Sequence, residues 1–442
     1  MTAPTGISPS EDDLKGALVA LKTANPTLGV PKIHARLVAE HPEWIVSEKR
    51  TRKVLQNQGL VQTLSASGAA SGQVHPTSKL IEGLDVTKWT TKAEVKYFGK
   101  AKGKGLVAKE AIAEGEVIWK EDPFILAPEW NLYDLQMSSH ACGHCSTPLT
   151  TSLLIVPCSA STSSTPCPVR FCSRLCLSRS GRTHPLLCTS RNPAAAPLLH
   201  FARKNQWMAL HALAQMTARV LLTFQQDDKL FAEDWEVVRS LAQLGMEERA
   251  KGGWCMRGHR LGAEPDRAMW KKAHKLYVQA FQEPATDAEK KRLAKLLKKP
   301  LPQDVSDTLF DYEAFLRGLG RMSLNLEAHG GLYVLHSHLN HNCDPNVSVR
   351  HLDQRTALSR ITVIARRDIA PGEELLVTYV NPELSLEQRR RGLMEWGFGK
   401  CACERCRKEE KEKKESGDAE DANEGGDKAD LEAELKAGLG VM

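Results

Sequence analysis

Ten of the twelve cysteines in this 442-residue chain fall into two groups whose spacing suits metal chemistry. The first runs Cys142-x2-Cys145, Cys158-x8-Cys167, Cys172-x3-Cys176 and His184-x3-Cys188. Seven thiols and one imidazole make eight donors, enough for two tetrahedral zinc sites. Thiolate and imidazole suit the borderline-soft zinc ion, and a short segment with little core of its own gains folding free energy from the metal. A set of buried free cysteines is the alternative, and donors this dense fit it poorly. The second group, Cys401-Ala-Cys403-Glu-Arg-Cys406, offers three thiols and needs a fourth. Cys343, inside NHNCDPN, is the candidate, which brings the expected total to about three zinc ions. Cys255 is left over and reads as a packed free thiol rather than a nucleophile.

Three separated segments carry the remaining chemistry. They are AKGKGLVAKEAIAEGEVIWKEDPFI (101–125), GGLYVLHSHLNHNCDPNVSVRH (330–351), and GEELLVTYV followed by WGFGKCACERC (372–406). The first alone would read as a hairpin turn with solvated lysines. Together, in this order, they resemble the SET-domain lysine methyltransferases, specifically the SET-and-MYND arrangement. The match is closest to the fungal group of that type, whose known substrate is the tail of the smallest core histone. The resemblance covers residues ~95–406. Phe-Cys-Ser-Arg-Leu-Cys at 171–176 is similar to the MYND signature, in which the first and third ligand pairs share one metal and the second and fourth the other. Two departures stand out. Eight residues separate Cys158 from Cys167 where the family usually has two, and Asn342 replaces the usual serine after the histidine.

The resemblance implies S-adenosylmethionine as cofactor and lysine as acceptor. Methyl transfer from a sulfonium to an amine needs the two aligned and the amine uncharged, although a free lysine has a pKa of ~10.4. By this resemblance Tyr379 is the catalytic channel tyrosine, and Tyr333 a second wall residue. For Tyr379 the alternative is a strand tyrosine that only packs its ring. Cofactor contacts would come from Lys102, Gly103, Lys104 and Gly105, whose glycines let the backbone approach and whose cations can pair with a carboxylate. Asn325, Asn340, His341, Tyr379 and Phe398 complete the expected cofactor set, with Phe398 stacking on adenine or closing the channel. A core aromatic beside Trp396 is the plainer reading of Phe398.

These residues need an α+β scaffold. The expectation is a SET-type β-strand knot with an inserted MYND-like zinc module, a helical insert, a post-SET zinc site and a small N-terminal all-α unit. Residues 1–62 carry leucines at helical spacing and resemble a helix-turn-helix unit, with Arg50, Arg52 and Lys53 available to phosphates. An ordinary three-helix scaffold fits the same residues. Residues 63–94 follow as a linker, its 63–78 part rich in Ser, Gly and Ala. The first catalytic part spans 95–141, with short strands across 106–126, and the zinc module spans 142–188. The helical insert covers 189–325, with helices such as Trp207–Phe224, Trp270–Phe281 and Phe310–Leu319. Strands return at 347–349, 358–364 and 374–380 within a part covering 326–381, and the post-SET segment is 382–406. The charged tail from Arg407 to 442 reads as disordered, with a short helix through Leu431 and Leu435 at its end. The basic run at 290–299 offers a face to nucleosomal DNA or an acidic partner, or simply a solvated one.

With 41% hydrophobic and 26% charged residues and a net charge of +6, the chain reads as globular, and its mild basicity permits an acidic partner such as chromatin. No apolar run approaches ~18 residues, which argues against a membrane partner. The amino-terminal residues lack a secretory pattern, so the nucleus or the reducing cytoplasm is expected. Two function classes follow: a methyltransferase acting on a histone or another basic protein, and a zinc-scaffolded chromatin adaptor with an inactive SET fold.

Overall fold

The computed structural model describes residues 7–25, 30–57, 75–99, 102–151, 154–251, 266–353 and 357–415. Cys255, the linker residues 63–74, the Arg52 side chain and the Leu431–Leu435 helix lie outside them. The chain divides into two compact units, residues 1–72 and 73–442.

In the first unit, α1 (Glu11–Ala24), α2 (Val30–Glu40) and α3 (Glu48–Asn57) enclose a core of Leu14, Leu18, Ile33, Leu37 and Leu55. The Ser10 side chain caps α1 by accepting from the Asp13 N–H, which satisfies one of the orphan donors at the helix start. The Arg50 guanidinium donates to Ser8 Oγ and Pro9 O, both at 2.8 Å, so it is tied to its own unit rather than free for phosphates.

The second unit begins with β1 (Ala93–Tyr97), β2 (Lys104–Ala108), β3 (Val117–Glu121) and β4 (Ile125–Leu126). Then come α4 (Trp130–Met137), β5 (Val156–Pro157), β6 (Arg170–Phe171), α5 (Arg174–Ser180) and α6 (His184–Leu187). A helical stretch follows: α7 (Ala195–Lys204), α8 (Met208–Gln226), α9 (Asp228–Ser240), α10 (Met246–Lys251), α11 (Arg267–Phe281), α12 (Asp287–Leu296), α13 (Gln303–Phe310) and α14 (Tyr312–Asn325). The chain returns through β7 (Gly331–Leu332), β8 (Asn340–His341), β9 (Val347–Arg350), β10 (Ile361–Ala365) and β11 (Glu374–Val377), and ends in α15 (Leu386–Glu395) and α16 (Glu404–Glu415). Mixed α and β content and the returning strands agree with the expected class. The helix expected across Phe310–Leu319 is broken at Asp311, whose extended backbone separates α13 from α14.

Strand order in the four-stranded sheet is β1-β2-β11-β8, and β3-β10-β9 form a second, three-stranded sheet. Every residue of β2 is buried, because β1 and β11 flank it. The helices form their own large core, joined to the strands where Arg219 of α8 donates to Phe124 O at 2.8 Å and pairs with Asp234 of α9 at 2.8 Å. Disorder was expected from Arg407, but α16 continues to Glu415. Ion pairs of Arg389 with Glu409, Arg390 with Glu410 and Lys413 with Glu387 hold it to α15, an arrangement no local composition reveals.

Candidate functional site

The parallel pairing of β8 with β11 sets Asn340 opposite Leu376 and His341 opposite Val377. Asn340 Nδ2 donates to Lys104 O and to Glu374 Oε1, both at 2.9 Å, so it ties the glycine-rich loop to β11. Gly105 must lack a side chain here. A Cβ would come within 2.9 Å of Asn340 Nδ2 and of Glu374 Oε1 and within 2.6 Å of the Phe98 ring. Gly103 adopts φ +76°, a region L side chains rarely enter. The Lys102 ammonium pairs with Glu374 and sits over the Phe98 ring, so a ligand carboxylate at Lys102 would have to displace Glu374. Lys104 turns the other way, into the helices, where its Nζ donates to Ser240 O at 3.2 Å. Burial pushes its pKa down to about 7.

His341 Nδ1 accepts the Tyr379 N–H at 3.0 Å, so the ring proton of the neutral form resides on Nε2, which faces Cys343 Sγ at 3.3 Å. Tyr379 donates its hydroxyl proton to Leu339 O at 2.6 Å. Its ring lies 5.4 Å from His341, 5.7 Å from Trp396 and 5.2 Å from Phe398, whose own ring remains 38% exposed. Burial raises the Tyr379 phenol above its usual range, which keeps it protonated. These residues therefore form one cluster.

Two expected residues point elsewhere. Tyr333 is buried, and its hydroxyl donates to Ser359 O and meets His329 Nε2 at 2.8 Å. Asn325, the last residue of α14, commits its Nδ2 to Ala242 O and Arg321 O, both at 2.7 Å. Motif reading also missed residues that hold the cluster. Buried Asn346, in the same NHNCDPN run, donates to Glu373 Oε1 and Glu374 O and accepts from the Leu376 N–H at 2.8 Å. Glu121 is a buried carboxylate that accepts from the Leu335 and His336 N–H groups at 2.8 and 3.1 Å. Its position two residues after Trp119 in an alternating strand was the available signal. An open cleft of about 400 Å³, lined by Thr165, Pro166, Ser190 and Arg292 among others, lies away from this cluster.

Three sets of ligand atoms each lie within 4.8 Å of one another: Cys142, Cys145, Cys172 and Cys176; Cys158, Cys167, His184 and Cys188; and Cys343, Cys401, Cys403 and Cys406. Sulfur separations such as 3.7 Å for Cys145–Cys172, 4.0 Å for Cys158–Cys188 and 3.4 Å for Cys343–Cys406 bracket the ~3.8 Å edge of a tetrahedron built on Zn–S bonds of ~2.3 Å. Hydrogen bonds from Cys145 and Cys176 pull the Cys142 thiol below its usual range, while the same contacts push Cys176 above it. In the third set, Arg389 Nη2 lies 3.7 Å from Cys406 Sγ and Arg405 Nη1 donates to Cys343 O at 3.0 Å. Two cations thus face a cluster that four thiolates and one divalent ion would leave at −2.

Residues 103–380 match the SET domain family. Among curated proteins, the chain is 32% identical to a histone-lysine N-methyltransferase SET5 of Mycosarcoma maydis over 70% of this chain and 66% of that protein. It is 32% identical to the SET5 protein of Yarrowia lipolytica over 87% of this chain and 78% of the relative. The corresponding Scheffersomyces stipitis protein is 28% identical over 91% and 82%.

Proposed function

Because the chain belongs to the SET domain family, we propose that it is an S-adenosylmethionine-dependent protein-lysine N-methyltransferase acting on a histone tail. The observation that carries the reading is the β8–β11 pairing, which gathers Asn340, His341 and Tyr379 into one cluster. S-adenosylmethionine, when bound, supplies an electrophilic methyl group on sulfur. Its fit is supported by the chemistry gathered there: the positive-φ turn at Gly103, which exposes backbone, the Lys102 ammonium, which can pair with a carboxylate, and the Asn340 amide beside them. Lys102, Gly103, Gly105, Asn340, His341 and Phe398 would hold it; Lys104 and Asn325, whose donors are taken by Ser240 O, Ala242 O and Arg321 O, would position those groups rather than touch the cofactor.

The Tyr379 hydroxyl has one proton, and Leu339 O takes it. The phenolic oxygen is therefore left as an acceptor, able to take a hydrogen bond from an incoming lysine amine and orient its lone pair. Trp396 and Phe398 supply apolar surface beside the ring, and an amine packed against it loses hydration, which favours its uncharged form. Tyr333, with its hydroxyl committed to Ser359 O, would support the channel wall from behind.

In this reading residues 142–188 form a MYND-like module with two zinc ions, and residues 382–406 with Cys343 form a post-SET site with a third. The relatives' chromatin substrate supports a nuclear location and a histone partner. Lys49 and Lys53, exposed on α3, support DNA contact by the N-terminal unit.

The test is incubation of zinc-replete protein with labelled cofactor and core histones, followed by mass spectrometry of the modified lysines. Wild type should transfer methyl groups. Tyr379→Phe should lower kcat by about 10- to 100-fold or change the number of methyls added. Cofactor binding with transfer only to other proteins would replace the histone substrate. Neither transfer nor cofactor binding would leave the zinc-scaffolded adaptor as the reading.

A further inference from the structure

The run from His75 to Lys79 precedes the first strand and has the composition of a linker, yet it is hydrogen-bonded to two separate parts of the molecule and packs against a third. His75 Nδ1 faces Gly397 O at 3.1 Å, and since a carbonyl only accepts, Nδ1 carries the proton. Thr77 and Gln243 exchange both backbone hydrogen bonds, at 3.1 and 2.9 Å, as an antiparallel bridge. Ser78 Oγ lies 3.1 Å from where a Cβ on Gly103 would stand. The Lys79 N–H donates to Ser240 O at 3.2 Å, the same carbonyl that receives Lys104 Nζ.

Each partner adjoins a group assigned above to the cofactor. Gly397 is the positive-φ residue before Phe398, and its carbonyl fixes the turn that carries the ring toward Tyr379. Gln243 follows Ala242, whose carbonyl receives Asn325 Nδ2. Gly103 is the turn of the Lys102–Gly105 loop, and Ser240 anchors Lys104. Without residues 75–79, the loop, the end of α9 and the Gly397 turn would have fewer direct ties to one another. A chain with no task here would leave its backbone to water, as linkers do.

We infer that residues 75–79 form a strap that holds these three parts in register, and that His75 and Thr77 are positioning residues for cofactor binding. This rests on the cofactor reading proposed above. The strap acts on ligand affinity rather than on the reacting amine, because none of its bonds reaches Tyr379 or Leu339 directly.

The experiment is calorimetric titration of S-adenosylhomocysteine into full-length, zinc-replete protein, alongside steady-state kinetics and thermal melting. His75→Ala and Thr77→Pro should each raise Kd by about threefold to tenfold, the scale of one hydrogen bond. KM for the histone substrate and the melting temperature should stay near wild type. His75→Asn, whose amide can still donate to Gly397 O, should restore binding. Because His75 is exposed, its alanine variant should fold even where Thr77→Pro does not. Unchanged Kd in His75→Ala overturns the strap. So does a parallel loss of substrate KM and stability, the mark of a merely structural contact. Wild type that binds no S-adenosylhomocysteine overturns the cofactor reading itself.

Discussion

The thiol groups between Cys142 and Cys188 and the group around Cys343 use the same donors in opposite surroundings. The first two share a small local core with Leu149, Val169 and Phe171. The third is wired to the candidate active site. Cys343 Sγ meets the Nε2 of His341, whose other nitrogen takes the Tyr379 N–H, while buried Arg389 faces Cys406. Similar ligand chemistry therefore has different mechanical reach: a metal in the first region would hold a module, and a metal in the third would hold an imidazole. What surrounds a ligand set decides its consequence.

The largest expected effect tests that wiring. Cys406→Ser should remove one zinc per chain, measured by elemental mass spectrometry, and lower methyl transfer by about 100-fold, since outer partners alone are worth about 10- to 100-fold. Loss of the ion with near-normal turnover would break the contrast. Cys145→Ser should also cost one zinc and lower the melting temperature by about 1–2 °C, the scale of roughly one to two kcal/mol in a protein this size. Its kcat should stay within about fivefold of wild type; a collapse like that of Cys406→Ser would make the two regions equivalent. The smallest effect concerns the long interval between Cys158 and Cys167. Its ends are fixed by the β5–β6 pairing and by the Cys158 N–H to Val169 O bond at 3.3 Å. Shortening the interval to two glycines should keep the zinc content and change stability by about 1 kcal/mol, the loop-closure scale. A lost ion would make the loop part of the site.

Much of this contrast was legible beforehand. Metal ligands must be Cys or His, so their spacing survives in the sequence, and the three sets assemble from the thiols and the imidazole the spacing singled out. Asn340, His341 and Tyr379 sit in short runs whose residue types mark a motif, although the pairing that joins them links two separate segments. Direction was harder to read. Lys102 and Lys104 flank Gly103, and the positive-φ turn at that glycine, which breaks strand alternation, sends one toward Glu374 and the other into the helices. Asn325 and Tyr333 were found as residue types, but the carbonyls that take their donors, Ala242 and Ser359, belong to distant segments with no pattern of their own. Composition also misjudged α16 and the strap, because both are held by partners elsewhere in the chain.

The bond between the Asn340 amide and the Lys104 carbonyl spans 236 residues. During synthesis at ~5–20 residues per second, β2 would wait roughly 12–50 s for that partner. Until then this wholly buried strand has only β1 beside it and an open edge on its other side, the kind of surface that pairs wrongly. The thiols at 142–188 emerge within that interval and can take up metal before the sheet closes, whereas the third set cannot form until Cys406 is made. Assembly of the reacting cluster is thus among the last events of folding, and a nascent chain stalled before β8 would carry a metal-bearing module without a site.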